Sequence, residues 1–194
     1  MTMNDFMFAA PISYIDLKLD TTEMLSFAYD LKKNDNGNIL SNVGGWQSKP
    51  VDLTNSTLLP LCSELLKYAE NYRQLIGFKK DLQITLYSGW FNINGFKDYN
   101  ITHDHPTSDI SGVYYLQSYK DSGGITFYHP STTIDWSWLN YKAETYTNIN
   151  SQEITYQPVI NRLFLFPSWL KHSVQPNMEN NMDRISFSFN IRIA

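Results

Sequence analysis

The chain has 194 residues, of which 42% are hydrophobic, 15% aromatic and 18% charged, with a formal net charge of −4. A chain of that length accommodates one well-buried domain and is short for two. The acidic balance gives no general basic field for nucleic acid, and no unbroken apolar run is long enough to cross a bilayer. No basic-then-apolar leader opens the chain. The lone Cys62 cannot close an internal disulfide and reads as a buried thiol in a reducing compartment. A cytoplasmic, non-membrane protein is expected. Residues 1–194 are expected to form a single domain, with 1–80 a support region of strand and helices and 81–194 a β-barrel core.

In chain order, Ile12 to Leu19 alternates imperfectly and reads as a short strand ending at Asp20-Thr21-Thr22. Leu25, Phe27, Ala28 and Leu31 then mark a short helix that closes in Lys32-Lys33-Asn34. Asn34 to Asn38 is a polar turn. Ser41 to Ser48 is glycine-rich, lacks a phosphate-loop lysine and reads as a structured loop lining a site. Ser56 to Phe78 is the strongest helix, because Leu58, Leu59, Cys62, Leu65, Leu66, Ala69, Tyr72, Leu75 and Ile76 form a stripe at 3.6-residue spacing. It is expected to pack on the outside of a sheet.

Beyond Gly77 the texture changes to strands. They are expected at Leu82 to Asn92, Ile101 to His105, Ile110 to Tyr119, Gly124 to Tyr128, Ile154 to Val159, Arg162 to Phe166, His172 to Gln175 and Arg184 to Ile193. Helices followed by this many strands predict a mainly β fold, a barrel or double-sheet jelly roll buttressed by N-terminal helices.

If Ile101 to His105 is extended, His103 and His105 project to one side and Asp104 to the other. His172 closes the apolar run from Phe164, and Arg184 and Ser186 share one face of the last strand. Together these residues point to a metal site with an anion pocket beside it, since neutral imidazole suits iron, zinc, copper and nickel. The ordinary alternative is surface or satisfied core histidines. A guanidinium inside a barrel needs an anionic partner. Its ordinary alternative is a surface pair with Glu153 or Asp183. Trp136 and Trp138 are two apart and read as a packing pair. Trp46, Trp90 and Trp169 are candidates for the mouth of the site, with packing the commoner role. Gly-x-Ser-x-Gly is absent, so serine hydrolysis has no support.

The order His103-x-His105, Val113-Tyr114-Tyr115-Leu116, Gly123-Gly124-Ile125-Thr126-Phe127, Arg162 to Phe166, His172-Ser173-Val174-Gln175-Pro176 and Arg184-Ile185-Ser186 resembles the iron(II)/2-oxoglutarate-dependent dioxygenases of the prolyl-hydroxylase type. The likeness is strongest to a branch marked by His-Pro, Ser-Gly-Val-Tyr-Tyr and Phe-Pro-Ser-Trp-x-x-His. It runs from Leu82 to Ile193 and rests on six motifs in order.

The resemblance implies a double-stranded β-helix, with Fe(II), 2-oxoglutarate and dioxygen as cofactor and cosubstrates. The reaction it implies is hydroxylation of a C–H bond with release of succinate and carbon dioxide. It makes His103 and His172 metal ligands and Arg184 the partner of the far carboxylate of 2-oxoglutarate, helped by Ser186 and Tyr115. Where most relatives have a carboxylate two residues after the first histidine, this chain has His105. A three-histidine set is therefore expected, with Asp104 or Asp109 as alternative ligands and His129 as a further candidate. Asp104 would need a bulge to turn inward. The expected substrate is a small molecule or a peptidyl residue rather than nucleic acid. Two other readings stand beside it: a non-catalytic binding module on the same barrel, and a three-histidine metal dioxygenase that does not use 2-oxoglutarate.

Overall fold

The computed structural model describes residues 9–131 and 143–194. In chain order the elements are β1 (Ser13–Asp16), α1 (Thr22–Asn34), β2 (Asn42–Val43), β3 (Trp46–Gln47), α2 (Leu59–Ile76), β4 (Ile84–Asn94), β5 (Tyr99–His103), β6 (Ile110–Gln117), β7 (Ile125–Tyr128), β8 (Glu153–Tyr156), β9 (Arg162–Pro167), β10 (His172–Val174) and β11 (Arg184–Ile193). A six-stranded sheet runs β1-β9-β6-β11-β4-β3 and a five-stranded sheet runs β2-β5-β10-β7-β8. Neighbouring strands pair antiparallel throughout, as β4, β6 and β9 do around β11. The mainly β, double-sheet architecture with helical support agrees with the sequence reading.

Alternation along the central strands explains the layering. Ile185, Phe187, Phe189 and Ile191 of β11, with Phe91 and Ile93 of β4, leave one face of the large sheet and meet Leu58, Leu61, Leu65, Ala69 and Tyr72 of the α2 region. Each large side chain so buried stabilises the fold by about 1.5–3 kcal/mol. The opposite face looks toward the small sheet across a second apolar cluster of Val113, Tyr115, Ile125, Phe127, Phe164, Phe166 and Leu170. Period-two alternation thus divides each central strand between a helix-covered core and the space between the sheets.

Most strand limits shift by one to three residues from the expectations, and three differences have an evident physical cause or bear on the site. The second helix begins at Leu59 rather than Ser56: the Asn55 side chain accepts the Thr57 backbone N–H at 3.0 Å, and a proline sits in the first helical turn. That turn is compatible with proline because its first N–H groups lack helical partners. The stretch from Ser41 to Ser48 contains two short strands, β2 against β5 and β3 against β4. The strand expected to reach His105 ends at His103. Cys62 is buried, as expected. Trp136 and Trp138 lie outside the described residues. Among the described residues no helix is long and apolar enough to cross a membrane.

Candidate active site

A cavity of about 520 Å³ lies between the sheets. His103 closes β5 and His172 opens β10, and the two stand directly opposite in register. Directly opposed residues have Cβ atoms roughly 4.5–5.5 Å apart, so two histidines far apart in the chain become neighbours by strand pairing. His105 lies beyond the strand and is fixed differently, its backbone N–H donating to the Ser168 carbonyl at 2.9 Å. Alternation along one extended run is therefore not what brings it to the cluster.

Ring centroids are 4.4 Å apart for His103 and His172, and 5.1 Å for each of these with His105. One ring nitrogen from each histidine lies within 4.8 Å of the others. Nδ1 of His103 is 2.8 Å from the Ile101 carbonyl, and Nδ1 of His172 is 2.9 Å from the Leu170 carbonyl. A carbonyl only accepts, so each Nδ1 carries the proton and each Nε2 keeps its lone pair. Nε2 of His105 stands 3.3 Å from Nε2 of His172.

Burial, reinforced by the neighbouring His103, lowers His172 to about 3 and His105 to about 4. Burial also lowers His103, against the opposing pull of the Ile101 carbonyl and the Asp104 charge. Three neutral imidazoles converge at neutral pH, the protonation state that a metal requires.

The carboxylates behave otherwise. Asp104 is exposed at the rim of the cavity. Asp109 is directed at the end of β11, where Oδ2 accepts the Ile193 backbone N–H at 2.8 Å. Among the described residues, neither joins the imidazole cluster. Nδ1 of His129 accepts the Ser131 backbone N–H at 3.0 Å, the turn geometry its place before Pro130 predicts.

Arg184, the first residue of β11, lines the same cavity and is 1% exposed. Its Nη1 donates to the carbonyls of Ser122, Gly123 and Gln175. Gly123 has φ 75°, and an added Cβ would meet the Pro176 carbonyl at 2.4 Å, so this turn requires glycine. Asp183 instead accepts the Tyr29 hydroxyl at 3.0 Å, and Glu153 is exposed on β8. Among the described residues no carboxylate forms an ion pair with Arg184. Its Nη2 is buried with no acceptor. Burial lowers the guanidinium's pKa, while the Tyr115 phenol and the Asp98 carboxylate act the other way. A buried cation with an unmet donor is costly, and a carboxylate is its best-matched partner.

Ser186 and Tyr115 face each other in register across β11 and β6, and both line the cavity. Burial pushes the Tyr115 phenol up to about 12, with the Arg184 charge pulling it down.

Sequence reasoning missed a stripe of neutral polar side chains on the cavity wall, Ser88, Asn92, Asn94, Ser188 and Asn190. Asn92 Nδ2 donates to Ser188 Oγ at 3.0 Å, and Ser111 Oγ donates to Asn190 Oδ1 at 2.8 Å. The signal was available in the alternation of both strands, which places Ser88, Asn92 and Asn94, and Ser188 and Asn190, at every second position. Trp90 lines the cavity, its ring 5.7 Å from that of His105. Trp46 packs on the helix side and donates Nε1 to the Asp35 carbonyl, and Trp169 is 57% exposed; neither lines the cavity.

Residues 88–190 match a family model described as "Putative 2OG-Fe(II) oxygenase". No curated protein matches the chain in sequence. Among solved structures, a Pseudomonas putida prolyl-4-hydroxylase is 16% identical, with 94% of this chain and 92% of that chain covered at a TM-score of 0.62. A prolyl hydroxylase from Trichoplax adhaerens, solved with a hypoxia inducible factor oxygen degradation domain peptide fragment, is 15% identical over 93% and 83% of the two chains, with a TM-score of 0.63. HygX from Streptomyces hygroscopicus, solved with nickel, 2-oxoglutarate and hygromycin B, is 10% identical over 94% and 83%, with a TM-score of 0.61. At these identities the likeness is one of fold, and that fold is the double-sheet arrangement described above.

Proposed function

The chain belongs to the 2OG-Fe(II) oxygenase family, and from that premise we propose that His103, His105 and His172 hold iron(II) while Arg184, helped by Ser186 and Tyr115, binds the far carboxylate of 2-oxoglutarate. One observation carries the reading: a fully buried guanidinium with an unmet donor and no ion-paired carboxylate among the described residues shares a cavity with three convergent neutral imidazoles. The donor set suits both groups. Imidazole is a good ligand for iron(II), and three protein ligands leave positions open for small molecules. A guanidinium offers a carboxylate two parallel hydrogen bonds.

When bound, the iron and 2-oxoglutarate supply the oxidising chemistry, coupling dioxygen and oxidative decarboxylation to succinate with hydroxylation of a substrate C–H bond. The chain's own part is orientation and exclusion of water. The Ile101 and Leu170 carbonyls lock two imidazoles with Nε2 free. The carbonyls around Arg184 fix the guanidinium at one end of the cavity and so set the direction of a dicarboxylic acid. With histidine in place of a carboxylate at residue 105, the site offers the metal no negative charge, and iron retention is expected to be weaker than in a carboxylate-containing set.

The primary substrate is a small molecule or a peptidyl residue. Structures of the same fold hold a peptide fragment in one case and hygromycin B in another, so the fold does not choose.

The test is anaerobic iron(II) titration followed by assay of 2-oxoglutarate conversion to succinate. The intact protein should bind one iron per chain and turn over 2-oxoglutarate, and His172→Ala should bind iron at least about a hundredfold more weakly. Absence of iron binding by the intact chain would sink the proposal. Oxygen consumption that ignores 2-oxoglutarate would favour a different three-histidine dioxygenase.

A further inference from the structure

Two side-chain nitrogens among the described residues are buried without a hydrogen-bond partner, Nη2 of Arg184 and Nδ2 of Asn94. They belong to one place. Asn94 ends β4 and Arg184 begins β11, and the two are directly opposite in the β4–β11 register. Paired residues leave a sheet on the same face with Cβ atoms roughly 4.5–5.5 Å apart. Both residues line the cavity that contains the imidazole cluster.

The position of Asn94 is closely fixed. Its carbonyl accepts Nδ2 of Asn177 at 2.9 Å, so the backbone at this strand end is anchored. A Cβ added at Gly45 would meet Nδ2 of Asn94 at 2.6 Å, so the amide occupies space that only glycine at residue 45 leaves free. The last torsion of an asparagine is broad, so rotation about it re-aims Nδ2 within that space while the anchored backbone stays in place. A buried amide donor with no acceptor costs free energy until a ligand supplies one. A carboxylate has two oxygens, enough to meet both unmet donors.

We propose that Asn94 is a second hydrogen-bond donor to the far carboxylate of the oxo-acid cosubstrate, adding to the preference for 2-oxoglutarate that Arg184 sets. This rests on the oxygenase reading above. Arg184 supplies the charge and Asn94 supplies a neutral, directional donor, so Asn94 sharpens selection more than it attracts anions in general.

Calorimetric titration of the anaerobic iron(II)-loaded protein tests this, with 2-oxoglutarate and 2-oxopentanoate, which has the same chain length without the far carboxylate. In Asn94→Leu the dissociation constant for 2-oxoglutarate should rise about tenfold to a hundredfold, the loss typical of one hydrogen bond to a charged group, while that for 2-oxopentanoate stays put. Asn94→Asp keeps the shape of the side chain and offers Arg184 an internal carboxylate. It should melt at a higher temperature without ligand and lose 2-oxoglutarate binding. Iron affinity should be unchanged in both variants. Unaltered 2-oxoglutarate binding in Asn94→Leu, equal weakening of both acids, or retained binding in Asn94→Asp would each overturn the proposal. Failure of the unmodified protein to bind 2-oxoglutarate would instead overturn the oxygenase reading on which it rests.

Discussion

Where β4 and β11 pair beside the cavity, from Phe91–Asn94 to Arg184–Phe187, both faces are buried, yet they are built from opposite materials. Toward the helices stand Phe91, Ile93, Ile185, Phe187, Phe189 and Ile191. Toward the small sheet stand Asn92, Asn94, Arg184, Ser186, Ser188 and Asn190. The first face is complete: hydrocarbon meets hydrocarbon, and nothing is left for a ligand to add. The second face holds side-chain hydrogen bonds, Asn92 to Ser188 within it and Ser111 of β6 to Asn190, and still leaves Asn94 and Arg184 with an unmet donor each. A buried surface that keeps unpaired donors is less stable than it could be, and the plain physical account is that a ligand completes it.

Substitutions on the two faces should therefore separate stability from binding. The largest effect is expected at Phe187, fully buried on the helix side against Phe91 with ring centroids 5.1 Å apart. Phe187→Ala should cost about 3–5 kcal/mol in chemical denaturation while leaving the ratio of 2-oxoglutarate to 2-oxopentanoate affinity unaltered. On the cavity side, Arg184→Ala should weaken 2-oxoglutarate binding about a hundredfold, roughly 2.7 kcal/mol, without unfolding the sheets. Undiminished affinity in that variant would dissolve the distinction between the faces. Ser188→Ala removes the acceptor of the Asn92 amide and should cost about 1 kcal/mol of stability in denaturant titration. The smallest effect is expected from Asp104→Asn at the exposed rim, with iron affinity altered by less than about threefold because a screened surface charge contributes little. A loss of a hundredfold there would make Asp104 a ligand and remove the three-histidine set.

Much of the fold was legible along the chain. The 3.6-residue stripe from Leu58 to Ile76 gave α2 to within its capping turns, and alternation gave the last strand at its observed limits, Arg184–Ile193. The boundary at Ser56 was missed because the Asn55 turn and Pro60 decide where a helix can begin, which periodicity alone does not register. The strands β2 and β3 were missed because two residues carry no period; they exist only by pairing with β5 and β4.

The site divides along the same line. His103, His105, His172, Arg184, Ser186 and Tyr115 could be named as candidates from motif order, and the fold brings all six to one cavity. Asn94 could not be singled out, because its lack of a partner depends on what the fold sets around it.

Legible along the chain alone were local matters: which segments alternate, which helix has an apolar stripe, and which residue types are available for chemistry. Strand pairing and packing, which no local pattern reports, set His172 opposite His103, engage Asp109 with the end of β11, and leave Arg184 without an ion-paired carboxylate among the described residues. The reason is physical. Periodicity is set by torsions within a few residues, whereas register and partnership are set by strands that meet across most of the chain.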